Sequence, residues 1–193
     1  MRTLVLDPPP PALQELIEQR RRTGADRHDE VWEGVYHMIP GPNIGHALIA
    51  AQLAVLLDAP ARANRLLVST EFNLGANNNY RVPDLGVHRE PRLGARVATA
   101  AIAVEVLSTG DDTLEKLPFY AQHKVDELLI VDPISQSVTW LGLREGEYQP
   151  IKHSQILGLG AAVLAAQIDW PRGQPHRIEI SELSPTMKRY ARG

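Results

Sequence analysis

The segment Ala101-Ile102-Ala103-Val104-Glu105-Val106-Leu107 is small or apolar at every position but one. A strand with one wet face alternates polar and apolar residues, so this run describes a central strand, covered on both faces by other layers of an α/β fold. Glu105 is the anomaly. A carboxylate desolvated there costs several kcal/mol unless a cation or a set of hydrogen bonds meets it. The preceding strand, Arg81-Val82-Pro83-Asp84-Leu85-Gly86-Val87, carries a second acid. Two adjacent strands can present Asp84 and Glu105 at one end of a sheet. Such a pair suits a hard divalent cation such as Mg²⁺, which takes one or two carboxylates and keeps several waters. An internal ion pair of Glu105 with Arg81 or Lys116 meets the same requirement equally well.

Downstream, Asp112, Lys116 and Tyr120 recur at i, i+4 and i+8 and share roughly one face of a helix spanning 112–124. If that helix packs behind the Glu105 strand, Lys116 reaches the carboxylates, orients a water and stabilises charge on a phosphate. The bland alternative is a surface pair of Asp112 and Lys116 worth a few tenths of a kcal/mol. Pro118 removes a backbone donor and is expected to kink this helix.

The remaining elements read as a mixed α/β order. A polyproline run, Pro8 to Pro11, precedes an amphipathic helix over 12–22, whose last residues Arg20 to Arg22 sit at the negative end of the helix dipole and read as a solvated terminus rather than a DNA patch. Residues 28–38 alternate around Glu33-Gly34 as a hairpin, and 46–57 form a helix stopped at Asp58 to Pro60. Strands are expected over 66–74, 82–88, 101–107, 127–131, 137–143 and 148–151, with turns at 75–79 and a loop at 91–94. A short helix over 160–167 closes the series. The expected organisation is an N-terminal Pro-rich segment and helix (1–24), one domain (25–171) and a C-terminal tail (172–193).

Several chemistries are excluded. The chain has no cysteine, which removes disulfides, thiolate zinc sites and a Cys nucleophile. The elbow, P-loop and zincin signatures are missing, and the seven histidines never fall at metal-ligand spacing. A net charge of −3 gives no general attraction to a polyanion, so any nucleic-acid contact is local. No apolar run approaches the ~18 residues of a bilayer span, and the expectation is a soluble, cytoplasmic protein without membrane contact. His46, at the start of its helix, is expected to pack on the hairpin, while Glu71 reads as a strand end at the solvent edge and Glu33 as a turn residue.

The strings RVPDLGV (81–87), AVEVLSTGDDTLEKLPFY (103–120) and VDELLIVDP (125–133) resemble the Uma-two family of restriction-endonuclease-like proteins, a branch of the PD-(D/E)XK nuclease superfamily. The hairpin HDEVWEGVYHMIPGP with His46, and the ending Ile168-Asp169-Trp170-Pro171, extend the likeness over about residues 25–171. The resemblance implies a restriction-endonuclease-like core, an α+β arrangement with a mixed sheet flanked by helices, and Asp84 and Glu105 as metal ligands. The superfamily lysine two residues after the glutamate is Leu107 here, which points to Lys116 as the relocated lysine with Tyr120 beside it. A choice between Asp111 and Asp112 stays open.

The implied activity is Mg²⁺- or Mn²⁺-dependent hydrolysis of DNA by a homodimer, with Asp84, Glu105, Lys116 and Tyr120 as catalytic residues. The alternatives are a non-catalytic binding or regulatory module on the same fold, and a hydrolase for another phosphate ester. Two expectations follow. The Asp84 and Glu105 carboxylates lie within one metal-ion span of each other, and Lys116→Met leaves the fold and metal binding nearly intact.

Overall fold

A computed structural model describes residues 3–5 (backbone), 10–90, 94, 96–108 and 112–171. Asp111, the first two prolines of the polyproline run, most of the loop at 91–94 and the tail from 172 onward lie outside the described residues. The strands form two sheets. The smaller contains, in chain order, β1 (Thr3–Val5), β2 (Glu30–Trp32), β3 (Val35–Met38), β5 (Leu74–Ala76) and β6 (Asn79–Arg81), arranged β1-β3-β2-β6-β5. The larger contains β4 (Leu67–Thr70), β7 (Leu85–His88), β8 (Ile102–Val106), β9 (Glu127–Asp132), β10 (Ser137–Arg144) and β11 (Glu147–Ile151), arranged β11-β10-β9-β8-β7-β4. The helices are α1 (Pro11–Thr23), α2 (Ile44–Ala63), α3 (Leu117–Gln122) and α4 (Ala161–Gln167), and a 3-10 turn, Thr113–Lys116, leads into α3.

The larger sheet is mixed, as expected. β8 and β9 run parallel, joined by the 3-10 turn and α3 as a crossover, and the other neighbours are antiparallel. All five residues of β8 are buried. Alternation sends Ile102, Val104 and Val106 into the core under α2 and α4, with Ile49, Leu53, Leu57 and Leu164, while Ala103 packs in the second core with Phe119 and Tyr120 of α3. Glu105 shares a face with Ala103, so it points toward the crossover.

Several boundaries differ from the sequence reading. The expected strand 66–74 is β4 and β5, in different sheets, and the expected strand 82–88 is shortened to β7, with β6 ending just before it at Arg81 in the other sheet. Pro83 lacks an N–H for a ladder bond, so the chain leaves one sheet at Val82 and enters the other at Leu85. The two crossings touch, since Glu71 N donates to Asp84 O at 2.9 Å. The expected turn at 75–79 is the β5–β6 hairpin.

Helix α2 passes Pro60 and ends at Ala63. Proline there forfeits one bond near the last turn, and fully buried Ala61 holds that turn to the core. By length and composition α2 is also apolar enough to cross a bilayer, contrary to expectation, yet its stripe Ile49, Leu53, Leu57 and Ala61 packs on the sheet. The expected helix 112–124 is a 3-10 turn followed by α3. Pro118 stands in the first turn of α3, where a missing donor costs nothing, so there is no kink to make. The turn Glu33-Gly34 has φ values of 50° and 87°, the positive pair that a tight two-residue hairpin needs.

Of the three arginines ending α1, Arg20 is not a solvated terminus. It grips Asp29 through Nε and Nη2 at 2.7 and 2.6 Å. The buried Asp29 carboxylate also accepts from Tyr36 OH at 2.7 Å and Ile39 N at 2.9 Å, which fixes the start of β2.

Candidate active site

Four elements converge on Glu105. Lys116, the last residue of the 3-10 turn, places Nζ 3.1 Å from Glu105 Oε1, and Tyr120 OH donates to the same oxygen. The expected common face of Lys116 and Tyr120 is therefore met, although the turn before α3 is 3-10. Lys116 Nζ also lies 3.0 Å from Glu30 Oε1, on β2 of the other sheet. Glu30 is itself fixed: Val82 N donates to Oε1 at 2.9 Å and Trp32 Nε1 to Oε2 at 2.7 Å.

Asp84 stands one residue ahead of β7, whose Leu85 pairs with Val104 of β8. Continuing that register sets Asp84 against Glu105. Asp84 N donates to Val104 O at 3.1 Å, and Asp84 Oδ2 accepts from Val106 N at 2.7 Å. His46 Nε2 lies 3.2 Å from the same oxygen. His46 is in the first turn of α2, capped by Asn43, whose Oδ1 accepts the His46 N–H at 3.0 Å. Asp84, Glu105, Glu30, Lys116 and His46 all line one cavity of about 340 Å³, so the two strand acids do face one site.

The electrostatics follow from burial with too few cations. Burial pushes the Glu105 carboxyl up to about 7, with Lys116 pulling it down and Asp84 and Glu30 pushing it further up. Burial works to lower the Lys116 ammonium, but Glu105 and Glu30 outweigh it and hold Lys116 above the ordinary lysine value. Burial, then the Glu105 charge, raises the Tyr120 hydroxyl well above its usual value. At neutral pH Lys116 is thus a fixed cation and Tyr120 a fixed donor.

The ion pair weighed from sequence exists with Lys116 and not with Arg81, whose guanidinium lies between the rings of Trp32 and Phe119. Asp112 lines the cavity, but the ammonium of Lys116 is turned to Glu30 and Glu105, not outward to a surface pair. Glu71 is half exposed, 3.8 Å from His28, and Glu33 is exposed at its turn, so neither joins the carboxylates. Sequence reasoning missed Glu30 and assigned His46 to packing on the hairpin. The signal for Glu30 was the alternation His28, Glu30, Trp32, which sets all three on the face toward the cavity. No local pattern pairs His46 with Asp84, because that contact depends on α2 crossing the sheet.

Among the described residues no three His, Cys, Asp or Glu side chains stand close enough to hold a metal ion by themselves. No match to the chain was found among curated proteins. Of solved structures, one similar to the chain is "a putative nuclease belonging to DUF820" from Anabaena variabilis, with a TM-score of 0.61 and 17% identity over 72% of this chain and 90% of that one. At that identity the likeness concerns the fold, and it agrees with the mixed α+β core found here. The Uma2 family, described as "Putative restriction endonuclease", matches residues 13–167, from α1 to the end of α4. With a match over most of its length, the chain belongs to the Uma2 family.

Proposed function

We propose that this protein is a Mg²⁺- or Mn²⁺-dependent endonuclease that hydrolyses DNA phosphodiester bonds. The observation that carries the reading is the opposition of Asp84 and Glu105 at one end of a buried sheet, facing a cavity, with Lys116 held against Glu105 at 3.1 Å. The family description and the nuclease fold neighbour support it.

The donor set fits a divalent cation. Three carboxylates, Glu30, Asp84 and Glu105, share the cavity with one ammonium, and burial, reinforced by the neighbouring acids, raises Glu105 toward neutrality. Asp84 and Glu105 would hold the ion, with water completing its shell, as befits a hard cation that needs only one or two carboxylates. Such an ion supplies charge neutralisation at phosphorus and a more acidic bound water. The protein's part is positional. Val106 N and His46 fix the Asp84 carboxylate, and Tyr120 fixes that of Glu105. Lys116, anchored at 3.0 Å by Glu30, directs its remaining proton toward the attacking water or a non-bridging phosphate oxygen.

A second reading, a non-catalytic module of the same fold, draws on the saturation of Lys116 by two acids and on the net charge of −3. Supercoiled plasmid distinguishes the two. The purified protein is expected to nick it with Mg²⁺ and not with EDTA, and Asp84→Ala is expected to lower the rate by at least ~10²-fold with the circular dichroism spectrum unchanged. Wild-type protein inert in both Mg²⁺ and Mn²⁺ would favour the module.

A further inference from the structure

Arg81 is 4% exposed, and among the described residues no carboxylate forms an ion pair with it. A buried guanidinium without an acid is costly, so something else must hold it. Its carbon lies 4.3 Å from the centre of the Trp32 ring and 4.1 Å from that of Phe119, one ring on each face. Trp32 in turn stacks on His37 at 4.4 Å, and Phe119 meets His123 at 4.2 Å with the two rings tilted by 38°. Five planar groups therefore form one column, running from β3, β2 and β6 of the smaller sheet into and just past α3, the helix that covers the larger one. Arg81 Nη1 ties the centre of this column to the smaller sheet, donating to Val31 O at 2.9 Å and to Asn79 Oδ1 and Tyr80 O at 3.1 Å.

The column adjoins the site by two routes. The Trp32 ring, whose plane is set by Arg81 on one side and His37 on the other, donates its N–H to Glu30 Oε2 at 2.7 Å. Arg81 is followed by Val82, whose N–H donates to Glu30 Oε1, and then by Pro83 and Asp84. Glu30 holds Lys116, and Asp84 sits opposite Glu105. The stretch from Arg81 to Leu85 is also where the chain passes from one sheet to the other. Any rotation of the smaller sheet against α3 thus moves Glu30, and with it the Lys116 ammonium, relative to Glu105, and pulls through Val82 and Pro83 on Asp84, which β8 holds. Gly75 shows how closely the two parts mesh: a Cβ there would lie 2.9 Å from Phe119 Cζ and 2.4 Å from Asn79 O.

We infer that Arg81 is a positioning residue, whose guanidinium, clamped between Trp32 and Phe119, sets how the smaller sheet lies against α3 and so places Glu30, and through it Lys116, for work at Glu105. The inference rests on the proposed metal-dependent reaction. It requires the planar guanidinium of arginine and not merely a positive charge, because a compact ammonium cannot cover the two rings. Its charge acts in the same place, since Glu30 is the largest of the acids that oppose the effect of burial on Arg81.

The test is Mn²⁺ titration, read by electron paramagnetic resonance of the free ion, on Arg81→Lys, Phe119→Leu and Leu164→Ala, each with a melting curve and plasmid kinetics. Arg81→Lys keeps the charge and loses the slab. It is expected to bind Mn²⁺ about 10- to 100-fold more weakly, the range for residues that orient metal ligands, with kcat reduced and KM for DNA unchanged. Phe119→Leu removes one ring, leaves Arg81 in place and is expected to shift Mn²⁺ affinity the same way by a smaller factor. Leu164→Ala, in the core under α4, is expected to lower the melting temperature with Mn²⁺ affinity unchanged. A folded Arg81→Lys protein with wild-type Mn²⁺ affinity overturns the inference, as does an unfolded one accompanied by a Phe119→Leu protein with wild-type affinity. An affinity that tracks the melting temperature in all three variants also overturns it, since stability alone then explains the loss. Wild-type protein that binds no Mn²⁺ instead removes the proposed function itself.

Discussion

Lys116→Met is expected to cost the metal-free protein about 3–5 kcal/mol, the scale for removing one partner of a buried ion pair, and to lower hydrolysis by at least ~10²-fold. The ammonium is 12% exposed and lies between Glu30 and Glu105, whose side chains are 2% and 7% exposed. Its loss leaves two carboxylates facing one another without a cation. The geometry thereby revises the sequence expectation that this variant keeps its fold nearly intact, which treated Lys116 as an accessory to the acids and not as their counter-ion. Urea denaturation at neutral pH measures the loss, and adding Glu30→Gln to Lys116→Met should recover much of the stability and none of the activity. A single variant as stable as wild type, or one that still nicks DNA, contradicts this account of Lys116.

Glu105→Gln is expected to separate stability from activity. The Glu105 carboxyl sits at about 7 in the folded protein against an ordinary 4.5. Below the ordinary value the acid is protonated whether the chain is folded or not, and stability is unaffected by its titration. Between the two values the folded chain keeps a proton that the unfolded chain has released, so stability falls as pH rises, by on the order of 3 kcal/mol once pH passes about 7. Metal-free wild-type protein should therefore melt lower at pH 8 than at pH 5.5, and Mg²⁺ should restore more stability at pH 8. Glu105→Gln cannot ionise. Its melting temperature should vary less over that range and respond little to Mg²⁺, with plasmid nicking reduced by at least ~10²-fold. Equal slopes for variant and wild type would place the titration elsewhere.

What was legible in the sequence was local and periodic. The doubly apolar run around Glu105 identified the central strand, and the spacing of Lys116 and Tyr120 identified the face that meets it, because both depend on repeat lengths of two and about four residues. The division of the chain between two sheets was not legible. Val82 and Leu85 to Val87 read as one strand interrupted by Asp84, and only the missing N–H of Pro83 hinted at the crossing. Glu30 was hidden for the same reason, since its role exists only once the smaller sheet is laid against α3. His46 reaches Asp84 through the path of α2, which no neighbouring residue encodes. β1 was unforeseen because three residues pairing with β3 carry too little pattern to distinguish them from a loop.

A crystal soaked in Mn²⁺, with diffraction recorded at the manganese absorption edge, tests the central claim most directly. The account predicts one or more anomalous peaks bound to carboxylate oxygens of Asp84 and Glu105, with Lys116 close by and still held by Glu30. Absence of any peak there at millimolar Mn²⁺, with Lys116 still bridging Glu30 and Glu105, would contradict it and leave the acids as a structural ion-pair network.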